Sequence, residues 1–217
     1  MNPNDTKQRI IDAAEELFAS KGFSRTTTRE ITCKADVNVA SVNYYFDSKE
    51  LLVQAVIERR LSYLNNERIA QLQAVRKQAK DNNLQPQLAD ILRAFILPLF
   101  QLRDSDPKAS LVLTLVGRSF FAAEEPVRSI FLNSYIPVFN VLTQCMEDAL
   151  PHLSQQEILS RCKLVTSTIG SALYWFDEPG TSDHLLDITS FDSGMSVDVL
   201  LSFLVAGLEA PLHAEAC

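Results

Sequence analysis

Apolar residues recur along this chain at three- and four-residue intervals, interrupted by short polar or proline-bearing breaks. Ile10, Ala14, Leu17 and Phe18 fall on one helical face with Ile11 beside it, and Asn4 or Asp5 stands where such a helix is capped. Gly22 supplies a left-handed stop, and Phe23 comes next, where it can pack back on Phe18. Thr27 and Glu30 have capping-box spacing and open a second helix with a short buried edge, Ile31 and Ala35. Asp36, Val37 and Asn38 then make a turn: Asp tolerates the left-handed conformation, Val37 points to the core and Asn38 caps the next helix. That third helix is expected over 39–46, with Val42 and Phe46 inward. Asp47 and Glu50 read as another capping pair, opening a fourth helix through Leu51, Leu52, Ala55 and Val56 to about residue 80.

Further along, Asp81, Asn82, Asn83 and Pro86 break the pattern. Helices are expected over 86–102, 108–123, 126–150, 154–176 and 193–208, with a loop over 177–192 marked by Pro179 and Gly180. Pro98 and Pro137 lie inside helical patterns, where they can kink a helix. No alternating run is long enough for a sheet, so the expected fold class is all-α. Short helix, tight turn and short helix is the geometry that presents one helix to the DNA major groove, so a three-helix head is placed at 1–52 and a helical body at 53–217.

Composition narrows the options. The 217 residues are 47 % hydrophobic, enough for a substantial core. The longest apolar stretch, 199–208, is too short to span a bilayer, and Asp5, Lys7 and Arg9 occupy the place of a signal core, so a cytoplasmic protein is expected. Cys33, Cys145, Cys162 and Cys217 are scattered without a C-x-x-C pair and read as small apolar side chains, with redox sensing by Cys33 or Cys217 left open. Net charge is −7, carried entirely beyond residue 60: residues 1–60 hold nine basic and nine acidic side chains, and 61–217 hold 11 and 18. A neutral head on an acidic body suits DNA contact confined to the head. There is no G-x-S-x-G elbow, phosphate-cradling glycine loop or H-E-x-x-H, and His152, His184 and His213 lack metal-ligand spacing. An enzyme, a cofactor and a metal site are therefore not expected.

The outward side of the third helix carries small residues, an amide and phenols: Val39, Ala40, Ser41, Asn43, Tyr44 and Tyr45. Small residues let a helix approach the groove floor, Asn43 can pair with adenine, and Val39 or Ala40 can touch a thymine methyl. Thr27, Thr28 and the two tyrosines can donate to phosphates, Arg29 can reach a guanine or a phosphate, and Lys49 can clamp a phosphate. The tyrosines can alternatively serve packing, and Arg29 and Lys49 can be solvated surface charges.

In the body, two helical segments are apolar nearly all round and need cover on both sides. Cys162, Ile169 and Leu173 on one, and Leu200, Leu201, Leu204 and Leu208 on the other, are candidates for a two-fold interface, the alternative being an intramolecular core. Phe100, Phe120, Phe121, Tyr135, Phe139 and Trp175 are candidates to line an effector cavity, against ordinary core packing. Arg118 interrupts the apolar run 111–121 and needs a partner: Glu124, Asp177, a ligand carboxylate, or solvent at a helix end.

The stretches Gly22-Phe23-Ser24-Arg25-Thr26-Thr27-Thr28-Arg29-Glu30-Ile31, Ala35-Asp36-Val37-Asn38-Val39-Ala40-Ser41-Val42-Asn43-Tyr44-Tyr45-Phe46 and Ser48-Lys49-Glu50-Leu51-Leu52 resemble the TetR-family DNA-binding signature over residues 5–55. The chain departs from that pattern at Asp36 (usually Gly), Asn38 (usually Ser), Ala40 (commonly Gly) and Asn43 (frequently Tyr), so no operator sequence is carried over. The resemblance implies a DNA-binding regulator that binds an operator, dimerises through its last helices and holds an effector in its body. With Leu115-Val116-Gly117-Arg118-Ser119-Phe120, the third-helix motif is also similar to fatty-acid-responsive members, which implies an apolar acyl effector. The expected function is a repressor released from DNA by a small apolar effector. The alternatives are a ligand-independent dimeric DNA-binding protein or an activator.

Overall fold

The computed structural model describes residues 3–105, 125–177 and 197–211, and among them eight α-helices and no strand. They are α1 (Pro3–Lys21), α2 (Thr28–Ala35), α3 (Ala40–Phe46), α4 (Lys49–Asp81), α5 (Leu88–Ser105), α6 (Val127–Ala149), α7 (Gln155–Asp177) and α8 (Val197–Glu209). The fold is all-α, as the periodicity indicates. The helix expected over 108–123 and the loop over 178–192 lie outside the described residues, with Arg118, Phe120 and Phe121.

Two expected helix starts are corrected. Helix α1 already includes Pro3, so Asn4 and Asp5 sit in its first turn, where Asp5 complements the helix dipole, and do not cap it. At the start of α4 the cap is Ser48, whose Oγ accepts from the Leu51 N–H at 3.1 Å. Asp47 instead ends α3, at φ 61°. The Ser48 N–H donates to the Phe46 carbonyl across Asp47 (2.6 Å), making a tight three-residue turn.

The chain divides into two compact units. The first comprises Met1–Asn66, Gln101–Ile136 and Gly170–Asp177. Ile10, Ala14 and Phe18 of α1 and Ile31 and Val42 of α2 and α3 have no exposed surface. Gly22 adopts φ 81° after α1, and the Phe23 ring lies 5.6 Å from that of Phe18. Helix α1 is also tied to α4 by charge. Glu15, 1 % exposed, pairs with Arg59 and with Arg60 (3.0 Å), while Arg59 also reaches Asp12 at 2.7 Å. Glu15 stands on the same helical face as Ile11, Phe18 and Ala19, so an acid on an apolar face was the sequence signal for this buried pair.

The second unit comprises Glu67–Phe100, Pro137–Ile169 and Glu178–Cys217. Its core includes Leu72, Ile91, Leu92, Ile96, Leu142, Met146, Ile158 and Val165. Arg68 is buried here, donating to the Phe95 carbonyl at 2.8 Å and lying over the Phe95 ring. A capping box opens α7: the Ser154 N–H donates to Glu157 (2.7 Å) and the Glu157 N–H to the Ser154 hydroxyl (3.3 Å). At the end of α8, Arg161 donates to the carbonyls of Leu208 and Ala210. Cys145 and Cys162 are buried, and burial pushes both thiols up to about 11, so they behave as the small apolar side chains expected. Cys33 is exposed, and Cys217 lies outside the described residues.

Candidate nucleic-acid interface

Helix α2 is short because it is closed at both ends. Thr27 Oγ1 accepts from the Glu30 N–H (3.2 Å), and the Glu30 carboxylate accepts from the Thr27 N–H (2.8 Å) and hydroxyl (2.9 Å). Lys21 adds a 2.6 Å bond to the other carboxylate oxygen. Together, with Lys21 the largest influence, they hold the Glu30 carboxyl near 2, against an ordinary 4.5. At the far end Asp36 takes the left-handed conformation (φ 52°, ψ 55°), and the Val37 N–H returns to the Thr32 carbonyl at 3.0 Å. Val37 is half-buried. Asn38 Oδ1 accepts from the Ala40 N–H at 2.9 Å, so Asn38 caps α3 in the place where the family more often has Ser.

With Val42 and Phe46 turned inward, Ala40, Asn43 and Tyr44 of α3 face out. Val39 is 54 % exposed and Tyr44 81 %, and Ala40 and Asn43 are exposed as well. Ser41 and Tyr45 are half-buried, and the Tyr45 ring meets Tyr44 edge to face with centroids 4.9 Å apart. Tyr44 is therefore not a packing residue of the chain's own core.

The flanking candidates separate by environment. Thr28 is half-buried and Arg29 exposed, both in the first turn of α2. Thr27 is engaged by its capping box, its hydroxyl hydrogen directed at Glu30. Lys49, half-buried at the start of α4, rests its ammonium over the Phe23 ring, 4.1 Å from the centroid. Two features of the head escape the sequence pattern as read above: the capping role of Ser48, and Arg9, whose Nη2 donates to both the carbonyl (2.8 Å) and the carboxylate (3.1 Å) of Asp36. A Ser directly before a helical run is the signal for the first. Arg9 and Asp36 are 27 positions apart, and no local pattern joins them.

The body candidates fare differently. Phe100 is buried in the second unit, and Phe139 of the same unit is half-buried. Tyr135, in the first unit, is half-buried and stacks on Phe131 with centroids 5.6 Å apart. Trp175 and Leu173 fall on α7, with side chains outside those described. A groove of about 560 Å³ between α4 and α5 mixes polar side chains, including Gln71, Gln78, Asn82 and Arg93, with apolar ones such as Val75, Leu84 and Leu97, and none of the expected effector residues is among its described lining. The proposed two-fold interface needs correction. Cys162, Ile169, Leu200, Leu201, Leu204 and Leu208 are each at most 5 % exposed in the single chain. They fill the protomer's own core and have no surface left to cover a partner. Among the described residues, the large exposed apolar side chains of α7 and α8 are Leu164 (68 %), Val199 (58 %) and Phe203 (67 %).

Among the described residues, no helix is long and apolar enough to cross a membrane, and no three His, Cys, Asp or Glu side chains are grouped to hold a metal.

A capped short helix, a left-handed turn and a second short helix with an exposed strip of small and polar residues define a helix-turn-helix DNA-binding head. The family model for bacterial regulatory proteins of the tetR family matches residues 10–56, and that for a tetracyclin repressor-like C-terminal domain matches 93–207. The chain belongs to the TetR family of transcriptional regulators. Over 52 residues it is 50 % identical to a probable HTH-type transcriptional regulator, YttP, of Bacillus subtilis, covering 24 % of this chain and 25 % of that one. Over 60 residues it is 38 % identical to IcaR of Staphylococcus aureus, the HTH-type negative transcriptional regulator of the biofilm operon icaADBC, covering 28 % and 32 %. The matches thus span about a quarter to a third of the length of these curated relatives. Over nearly the whole chain the fold is similar to two solved structures. One is the fatty acid degradation regulator FadR from Bacillus halodurans (TM-score 0.62, 17 % identity, 95 % of this chain and 97 % of that one). The other is HlyIIR, a hemolysin II transcriptional regulator (TM-score 0.62, 19 % identity, 97 % and 100 %).

Proposed function

We propose that this chain is a repressor that holds a DNA operator through α2 and α3 and releases it when a small apolar effector occupies its body. The observation that carries this reading is the exposed strip Val39, Ala40, Asn43 and Tyr44 on a helix otherwise anchored by Val42 and Phe46. Val39, Ala40, Ser41 and Asn43 face the bases. Tyr44, Tyr45, Thr28, Arg29 and Lys49 meet the backbone, and Thr27 positions the first turn of α2. Repression is in keeping with the name of the IcaR relative, a negative transcriptional regulator. Residues 1–52 act as the reader and 53–217 as the sensing and pairing body, working in the cytoplasm.

The protein acts as a two-fold homodimer, which sets two heads on half-sites about 34–36 Å apart. Leu164, Val199 and Phe203 supply the apolar contact, and Leu164 lines a common groove with Gly207 of α8, so the outward sides of α7 and α8 adjoin. Phe100, Tyr135, Phe139, Trp175, Arg118, Phe120 and Phe121 remain the candidate effector residues, and a fatty acid or acyl derivative is the class that suits aromatic side chains with one cation. Effector binding favours a state whose heads no longer match the operator spacing.

The test is binding to a duplex selected by the protein from a random-sequence library. Asn43→Ala and Tyr44→Ala should each weaken binding about tenfold or more, as loss of one base or backbone contact does, without changing the unfolding temperature. Wild-type affinity in both variants would sink the assignment of α3. Native mass spectrometry of the purified protein reads the second half of the proposal: a co-purified acyl compound is expected.

A further inference from the structure

Helix α3 is aimed by the turn that precedes it, and that turn hangs on one residue of α1. Asp36 closes α2 in the left-handed conformation, and only Val37 and Asn38 separate it from Val39 and α3. A glycine would adopt φ 52° without strain, whereas Asp36 holds it with a Cβ attached. The Asp36 side chain is 95 % exposed, so its carboxylate contributes little through an ion pair alone. The Arg9 side chain is only 27 % exposed, and a single nitrogen, Nη2, bonds the Asp36 carbonyl at 2.8 Å and its carboxylate at 3.1 Å. The backbone bond fixes the peptide of the turn, and the carboxylate retains the guanidinium on it.

We propose that Arg9 is a positioning residue for DNA recognition: by holding the carbonyl oxygen and one carboxylate oxygen of Asp36 it sets the turn that aims α3, and it does not itself contact DNA. The inference rests on the reading of α2 and α3 as the DNA reader. Its consequence is a separation between specific and non-specific binding. A residue that touches phosphate contributes to every duplex and to the salt dependence, lowering the slope of log affinity against log salt by about one when removed. A residue that only aims the reading helix contributes to the matching sequence and leaves that slope unchanged.

The experiment measures binding of the full chain to two duplexes, one selected by the wild type from a random library and one of scrambled sequence, across a range of salt concentrations. Arg9→Gln should weaken binding to the selected duplex about tenfold, leave the scrambled duplex within twofold, and keep both salt slopes. Arg9→Lys should recover a substantial part of the loss, because one nitrogen supplies both bonds and an ammonium can replace it. An equal loss on both duplexes with a slope reduced by about one would make Arg9 a phosphate contact and overturn the proposal. So would an Arg9→Gln protein that binds like the wild type, or an Arg9→Lys protein no better than Arg9→Gln. If the wild type selects no sequence at all, the DNA-reader assignment falls and takes this inference with it, which distinguishes the two failures. Should Arg9→Gln fail to fold, Asp36→Gly carries the test. It tolerates φ 52° but removes the carboxylate that retains the guanidinium, so affinity for the selected duplex should fall while the scrambled duplex stays within twofold; unchanged affinity for both duplexes would overturn the proposal.

Discussion

The Lys49 ammonium lies 4.1 Å from the centroid of the Phe23 ring, joining the first residue of α4 to the turn after α1. One side chain thus holds the head together and, in the proposed function, also offers a cation to DNA. A cation over a ring at a partly exposed site contributes about 0.5–1 kcal/mol. Lys49→Gln should lower the unfolding temperature by about 1–4 °C, the shift such an energy makes in a chain of this size. It should also weaken binding to both selected and scrambled duplexes. Calorimetry with parallel binding measurements separates the two effects, and an unchanged melting temperature would remove the packing role.

Glu30 makes the head's stability sensitive to acid. Its carboxyl is held near 2 by Lys21 and by the N–H and hydroxyl of Thr27, below the ordinary 4.5. A lowered folded-state value means that the stabilisation is complete above about pH 4.5 and disappears as the pH falls through 2. The stability gap between wild type and Glu30→Gln should therefore be constant near neutrality and narrow steadily between those limits. Urea unfolding at a series of pH values reads this directly; a gap that stays level down to about pH 2.5 would contradict it.

Among the described residues, Glu15 is the most deeply buried acid of the first unit, and it answers two arginines of α4. Removing one partner of a buried pair leaves the others without their counter-charge, at a cost of about 3 kcal/mol at the lower end of such losses. The lower end applies because Arg59 and Arg60 keep about a fifth of their side-chain surface in water (21 % and 19 %) and can rehydrate. Glu15→Gln should show this in chemical denaturation, whereas Glu16→Gln, with its carboxylate 41 % exposed beside Lys34, should cost well under half as much.

The proposed pairing surface makes a contrast between adjacent residues. Phe203 is 67 % exposed and Leu204 5 %. Phe203→Asp should leave the monomer's unfolding profile intact and dissociate a dimer, seen as a halved mass in light scattering. Leu204→Ala should instead cost roughly 2–5 kcal/mol in folding stability, as large-to-small core changes do. A Phe203→Asp protein that remains dimeric would exclude this face.

Local chemistry made the head legible. Capping hydroxyls, a left-handed Gly or Asp and helical spacing act over three to five residues, so Gly22, Thr27, Glu30, Asp36 and Asn38 could be assigned from the order of residues alone, and each is found in that role. The exceptions are the starts of α1, where Asn4 and Asp5 lie inside the first turn, and of α4. Asp47 and Ser48 both qualify as caps by type, and only the backbone geometry selects Ser48, because Asp47 is consumed by the tight turn out of α3.

By itself, then, the sequence determined the all-α class, the helix boundaries to within a few residues and the inward and outward sides of α3, because these depend on periodicity and near-neighbour hydrogen bonds. Only the tertiary structure decided which apolar side of α7 and α8 is core and which is surface. Leucines at 200, 201, 204 and 208 and the exposed Val199 and Phe203 are equally hydrophobic, and a helix apolar nearly all round carries no local mark of its inner face. The same holds for Arg9 with Asp36 and for Glu15 with Arg59 and Arg60. Their distances are set by how α1 packs on the turn and on α4, and a charge's partner depends on space, not on spacing along the chain.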